Sequence, residues 1–118
     1  MRHRKKLKKL GRPTDHRLAL ISNQVTKLFL HGRLETTEPK ARETKRQAEK
    51  ILTTAKKQTL NAKRRVRRIV NDREAFRKIF EEYAPKYASR AGGCISLIKL
   101  PPRRGDAAPM ATLVFVEE

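Results

Sequence analysis

Residues 14–41 read TDHRLALISNQVTKLFLHGRLETTEPKA, and this stretch decides the fold. Thr14 or Asp15 can supply a helix N-cap. Leu18, Ile21, Val25, Leu28 and Phe29 then recur at the spacing of one helical face. Gly32 suits the left-handed residue that ends such a helix. Arg33 to Glu38 is short, with β-branched Thr36 and Thr37, and predicts a strand. Pro39 fits the first turn of a second helix. A helix, a strand and a helix joined with almost no linker imply an α/β arrangement.

Working outward, the second helix is predicted to run to about Lys57, burying Ala41, Ala48, Ile51, Leu52 and Ala55. A third covers Leu60 to Val70, whose sizeable apolar groups are Leu60, Val66, Ile69 and Val70. Asn71 or Asp72 caps a fourth, with Phe76, Ile79, Phe80 and Tyr83 on one face, ended or kinked by Pro85. Gly92 and Gly93 make a turn. Cys94 to Leu100 reads as a strand with apolar residues on both faces, and Met110 to Val116 as another. The order is helix, strand, three helices, two strands. The expected fold is a two-layer α/β (α+β) domain over residues 14–118, with a small mixed three-stranded sheet and helices on one face. No internal repeat is present.

Upstream, residues 1–13 contain Arg2, His3, Arg4, Lys5, Lys6, Lys8, Lys9 and Arg12, no acid, and only Leu7 and Leu10 to bury. Such a segment cannot build a core alone, and like-charge repulsion predicts an extended basic arm. Across the 118 residues, 30 Lys and Arg face 12 Asp and Glu, a formal charge of +18. Self-repulsion at that charge calls for a polyanionic partner. A membrane surface is the weaker candidate, because no stretch approaches the ~20 apolar residues of a spanning helix. No secretory signal or clear transit segment opens the chain. Cys94 is the single cysteine, so no internal disulfide can form, and a reduced cytoplasmic setting fits.

Three constellations could meet a polyanion. The arm can follow an irregular phosphate backbone. Lys63, Arg64, Arg65, Arg67 and Arg68 fall within six consecutive helical positions, which span the whole helix circumference, so some must face solvent or a partner. Glu74, Glu81 and Glu82 could neutralise part of that charge. Ser89-Arg90-Ala91-Gly92-Gly93 and Arg103-Arg104-Gly105-Asp106 set arginine beside glycine, where backbone N–H groups can approach phosphate. In the second of these, Asp106 is expected to cap or close the turn rather than belong to an adhesion tripeptide. Catalysis finds no support. His3, His16 and His31 are scattered, and no nucleophile elbow, phosphate-binding loop or metal-ligand spacing occurs. Cys94 reads as a small buried residue, and Phe76, Phe80 and Tyr83 as core. Tyr87, beyond Pro85, could reach a partner.

Met1-Arg2-His3-Arg4-Lys5, Leu10-Gly11-Arg12 and His16-Arg17 open the chain in a way that resembles the bacterial ribosomal protein L-seventeen family of the large subunit. Thr36-Thr37-Glu38-Pro39-Lys40-Ala41, Ala88-Ser89-Arg90-Ala91-Gly92-Gly93 and Arg104-Gly105-Asp106-Ala107-Ala108-Pro109-Met110-Ala111 continue the resemblance, in order, over essentially the whole chain. It implies 23S ribosomal RNA and neighbouring ribosomal proteins as partners, near the polypeptide exit tunnel. It adds His16, Arg17 and Lys40 to the expected RNA-binding residues. It implies no enzyme activity, cofactor, metal, small-molecule substrate or homo-oligomer. The chain departs from the family at Asp15, where serine is usual, and at Cys94-Ile95-Ser96, where Tyr-Thr-Arg is usual. A free-standing DNA-binding regulatory module is the alternative, since a basic helix can enter a major groove.

Overall fold

The structure is a computed structural model that describes residues 14–116, with side chains from His16 onward. The expected arm, residues 1–13, lies outside the described residues. The elements are α1 (Thr14–His31), β1 (Arg33–Thr37), α2 (Glu38–Ala55), α3 (Leu60–Ile69), α4 (Arg73–Lys78), a π-helical turn (Ile79–Tyr83), α5 (Ala84–Lys86), β2 (Ile95–Leu100) and β3 (Met110–Phe115). The expected order therefore holds. Thr14 and Asp15, expected at the cap of α1, lie within it instead.

The sheet is antiparallel throughout, in the order β1-β3-β2, where a mixed sheet was expected. The last two strands form a hairpin, which is necessarily antiparallel. β1 takes the free edge of β3, with Leu34 opposite Leu113. The two strands that do run the same way, β1 and β2, are kept apart by β3. Strand alternation resolves the doubly apolar β2. Ile95 and Leu97 pack into the core, whereas Ile98 is 49% exposed on the outer face.

Helix α2 lies along the inner face of the sheet and touches all three strands. Every residue of its expected apolar face is buried. Helix α1 crosses it, burying Ile21, Val25, Leu28 and Phe29, but Leu18 stays 55% exposed at the near end of the helix. Polar groups fasten the same junction: Thr44 Oγ1 donates to Gln24 Oε1 (2.7 Å), and Gln24 Nε2 donates to Thr36 Oγ1 (3.1 Å).

The fourth helix neither stops nor simply kinks at Pro85. It widens into the π turn, where Ala84 N–H donates to Ile79 O, and continues to Lys86. The wider turn accommodates a residue with no N–H to offer. Phe115 packs against Phe29, Tyr83 and Tyr87, with ring centroids 5.5, 4.2 and 6.2 Å apart. Tyr87, expected to reach a partner, is fully buried, and its hydroxyl donates to Val116 O (2.5 Å).

Two of the helices that carry the charge are set by side-chain caps. Thr59 Oγ1 accepts from Ala62 N–H at the start of α3, and Asp72 Oδ1 accepts from Ala75 N–H at the start of α4. Asp72→Ala is expected to cost about 1 kcal/mol of unfolding free energy in a urea titration. Leu60 is 64% exposed, so Leu60→Ala should stay within about 0.5 kcal/mol of the parent. Comparable losses from both would contradict this assignment of cap and surface.

Candidate nucleic-acid interface

Helix α3 is anchored by few groups. Ala62 and Val66 are buried, Ile69 packs partly against the core, and Val70 closes the end. Ser22 Oγ on α1 donates to Ile69 O and ties down the last turn. Everything basic on the helix is left outward: Lys63, Arg64, Arg65, Arg67 and Arg68 are all exposed. Like charges at three- and four-residue spacing repel. Placing Arg67 and Arg68 in the last turn partly offsets this, because cations there meet the negative end of the helix dipole.

The nearby acids do not neutralise this face. Glu74 and Glu81 both hold Arg77 on their own helix, through Arg77 Nη2 to Glu74 and Nη1 to Glu81 (3.0 Å). Glu38 serves Arg42 (2.6 Å) and Lys99 (3.8 Å), Glu43 lies 3.6 Å from Arg46, and Glu49 accepts from Ile95 N–H (3.2 Å). Among the described residues no carboxylate pairs with any of the five α3 cations. Aromatic rings meet two of them instead: Arg67 lies 5.4 Å over the Phe76 ring and Lys63 5.9 Å from the Phe80 ring. Phe76, expected in the core, is only partly buried and lines the groove beside α3.

The remaining expected contacts are dispersed. His16 is exposed on α1, and the adjacent Arg17 is half-buried, its Nε without a hydrogen-bond partner among the described residues. Lys40 is half-buried in the first turn of α2. The two arginine–glycine turns do not form one site. Lys56, just past α2, donates through Nζ to Arg90 O, whereas the hairpin loop meets the other end of the helix, with Glu38 N–H donating to Pro109 O (2.9 Å). Eighteen helical residues, about 27 Å, separate them. Arg2, His3, Arg4, Lys5, Lys6, Lys8, Lys9 and Arg12 lie outside the described residues. Sequence reading overlooked Lys50, which lines the groove between α2 and α3 beside Arg65. Its signal was its place on the exposed face of α2. No group of His, Cys, Asp and Glu among the described residues could hold a metal ion. No helix among them is long and apolar enough to cross a membrane.

The hairpin turn is held by charge. Arg103 donates to Asp106 through Nε (3.2 Å) and Nη2 (2.6 Å), and Ala108 N–H donates to Asp106 Oδ1 (3.2 Å). Asp106 thus closes the turn, and Arg103 is engaged within the chain rather than held out for phosphate. These donors bring the Asp106 carboxyl down to about 2, the guanidinium of Arg103 contributing most. The folded value lies below the ordinary aspartate value of about 3.9, so the pairing favours the folded turn above that pH. The contribution fades as pH falls towards 2. Arg103→Gln should return the Asp106 carboxyl towards its ordinary value in an NMR titration. A titration unmoved by the substitution would show that the pair does not hold the turn.

Arg90, Arg104 and the α3 cations thus stand on separate exposed elements around one small core. The family described as "Ribosomal protein L17" matches residues 20–116. The large ribosomal subunit protein bL17 of Halothermothrix orenii is 48% identical over 111 residues, covering 94% of this chain and 97% of the relative. That of Dictyoglomus turgidum is 49% identical over 116 residues, covering 98% and 100%. That of Clostridium botulinum is 48% identical over 109 residues, covering 92% and 96%. On the match of residues 20–116 and on these near full-length identities, the chain belongs to the ribosomal protein L17 family.

Proposed function

We propose that the chain is a structural constituent of the large subunit of a bacterial ribosome, working in the cytoplasm, and that it binds 23S ribosomal RNA. The observation that carries the RNA contact is the α3 face: five exposed cations with no carboxylate partner among the described residues. A solvated face would gain from the acids of the next helix, yet Glu74 and Glu81 are committed to Arg77 and Asp72 to the cap of α4. RNA phosphates would relieve the repulsion along α3 and release bound counterions.

Residues 1–13 act in this reading as an RNA-binding arm, and residues 14–118 as a single domain. Arg2, His3, Arg4, Lys5, Lys6, Lys8, Lys9 and Arg12 contribute the arm's contacts. His16, Arg17, Lys40, Arg90 and Arg104 add contacts at separate points on the domain, and Arg103 contributes only while still paired with Asp106. Contacts spread in this way suit an irregular RNA surface better than a regular duplex. A position near the polypeptide exit tunnel, beside other ribosomal proteins, follows from the family resemblance.

Binding to a 23S ribosomal RNA fragment as a function of salt tests the reading. If the arm neutralises ~5 phosphates, deleting Met1–Arg12 should lower the log–log slope by about 3.5 to 4.5. Replacing Arg64, Arg65 and Arg68 together by Gln should lower it by roughly 2 to 3. Slopes unchanged by both would refute RNA contact by the arm and by α3. A second arm is thermal: the cognate fragment at about 100 times its Kd should stabilise the protein by roughly 2.7 kcal/mol. An unmoved melting temperature would contradict cognate binding.

A further inference from the structure

The groove between α3 and α4 is lined by Lys63, Arg64, Arg67, Arg68 and the partly buried Phe76. Phosphate binding requires the cations of this groove but not the ring. The ring is nevertheless built in: Phe76 packs on Phe80 with centroids 4.9 Å apart, and Arg67 lies over it at 5.4 Å. Across the helix, Arg77 is held by two carboxylates and its charge is spent there. Arg67 is steadied by an aromatic face instead. A guanidinium held in that way keeps its full charge and its donors, and its planar group can stack a second time.

From this contrast we infer that the groove takes a single unpaired RNA nucleotide. Its base stacks with Phe76 and Arg67, while Lys63, Arg64 and Arg68 hold the flanking phosphates. Stacking on an aromatic ring or a guanidinium plane is available only to a base outside a duplex. A paired segment would meet the cations and leave the exposed part of the ring uncovered. The inference rests on the RNA-binding reading and narrows it from ribosomal RNA in general to a splayed base at this groove.

The test uses the full chain and two RNAs matched in phosphate number. One is a single strand with 2-aminopurine at its centre, and the other a hairpin duplex. Phe76→Leu keeps an apolar contact with Phe80 and removes the ring. Arg67→Lys keeps the charge on an exposed position and removes the plane, so it does not endanger the fold. Each variant should bind the single strand at least roughly fivefold more weakly, within the range for loss of one stacked base, and should lose the 2-aminopurine quench. For Phe76→Leu, duplex affinity should change less than about twofold, with an unaltered salt slope. Equal losses on both RNAs, or no loss on the single strand, would overturn the stacked base and leave RNA binding standing. If the parent chain binds neither RNA with a salt-dependent affinity, the RNA-binding reading falls and this inference with it.

Discussion

The ring of Phe115, on the central strand β3, is where sheet and helices meet. It touches Phe29 of α1 and the Tyr83 and Tyr87 rings of the widened fourth helix. Those rings come from two segments far apart in the chain, α1 and the widened fourth helix, and β3 is a third, so the contact closes most of the molecule at once. The π turn serves that contact. It carries the helix past Pro85 while Tyr83 lies against Phe115 and Tyr87 reaches Val116 O. Removing the ring would leave apolar walls from both helices facing a void, the costliest kind of core change. With no Trp and a core rich in Ala, the fold has few other groups of this size.

Helix α3 stands apart from this junction and contacts chiefly α2. It is held by two buried residues, a Thr59 cap and the Ser22 tie, while its outward arc is almost wholly cationic. The acids of the domain act away from α3, as caps, turn closers, partners within one helix and ties from α2 to β2. This division leaves charge concentrated where the protein has least packing to oppose repulsion. On the proposed reading, a polyanion laid on α3 would contribute both binding and local stability, coupling assembly to folding.

Much of this was legible in the sequence. The 3.6-residue periodicity of α1 and α2, Gly32 after the first helix and Pro39 in the first turn of the second fix those boundaries locally. Strands β2 and β3 were legible as apolar runs, though their pairing as a hairpin was not. The antiparallel register of β1 was not, because strand order depends on which edge of β3 is vacant. Leu18 and Leu60 fit their helical faces by spacing yet lie past the reach of the core. Tyr87 looked available because a proline usually ends a helix, and a π turn leaves no composition signal. The exposure of the α3 cations could be read from their density alone. The absence of acid partners for them could not, since Glu74 and Glu81 are close in sequence and only the helix geometry commits them to Arg77. The separation of the two arginine–glycine turns likewise depends on the length of α2.

In the proposed function the α3 face is an RNA contact rather than a solvated surface. The most direct measurement is a high-resolution structure of the intact large ribosomal subunit containing this chain, with the contacts of α3 sorted into phosphate, base, protein and solvent. Ribosomal RNA phosphates are expected within hydrogen-bond distance of most of Lys63, Arg64, Arg65, Arg67 and Arg68. An α3 face turned to solvent, or covered by another protein with RNA elsewhere, would contradict it.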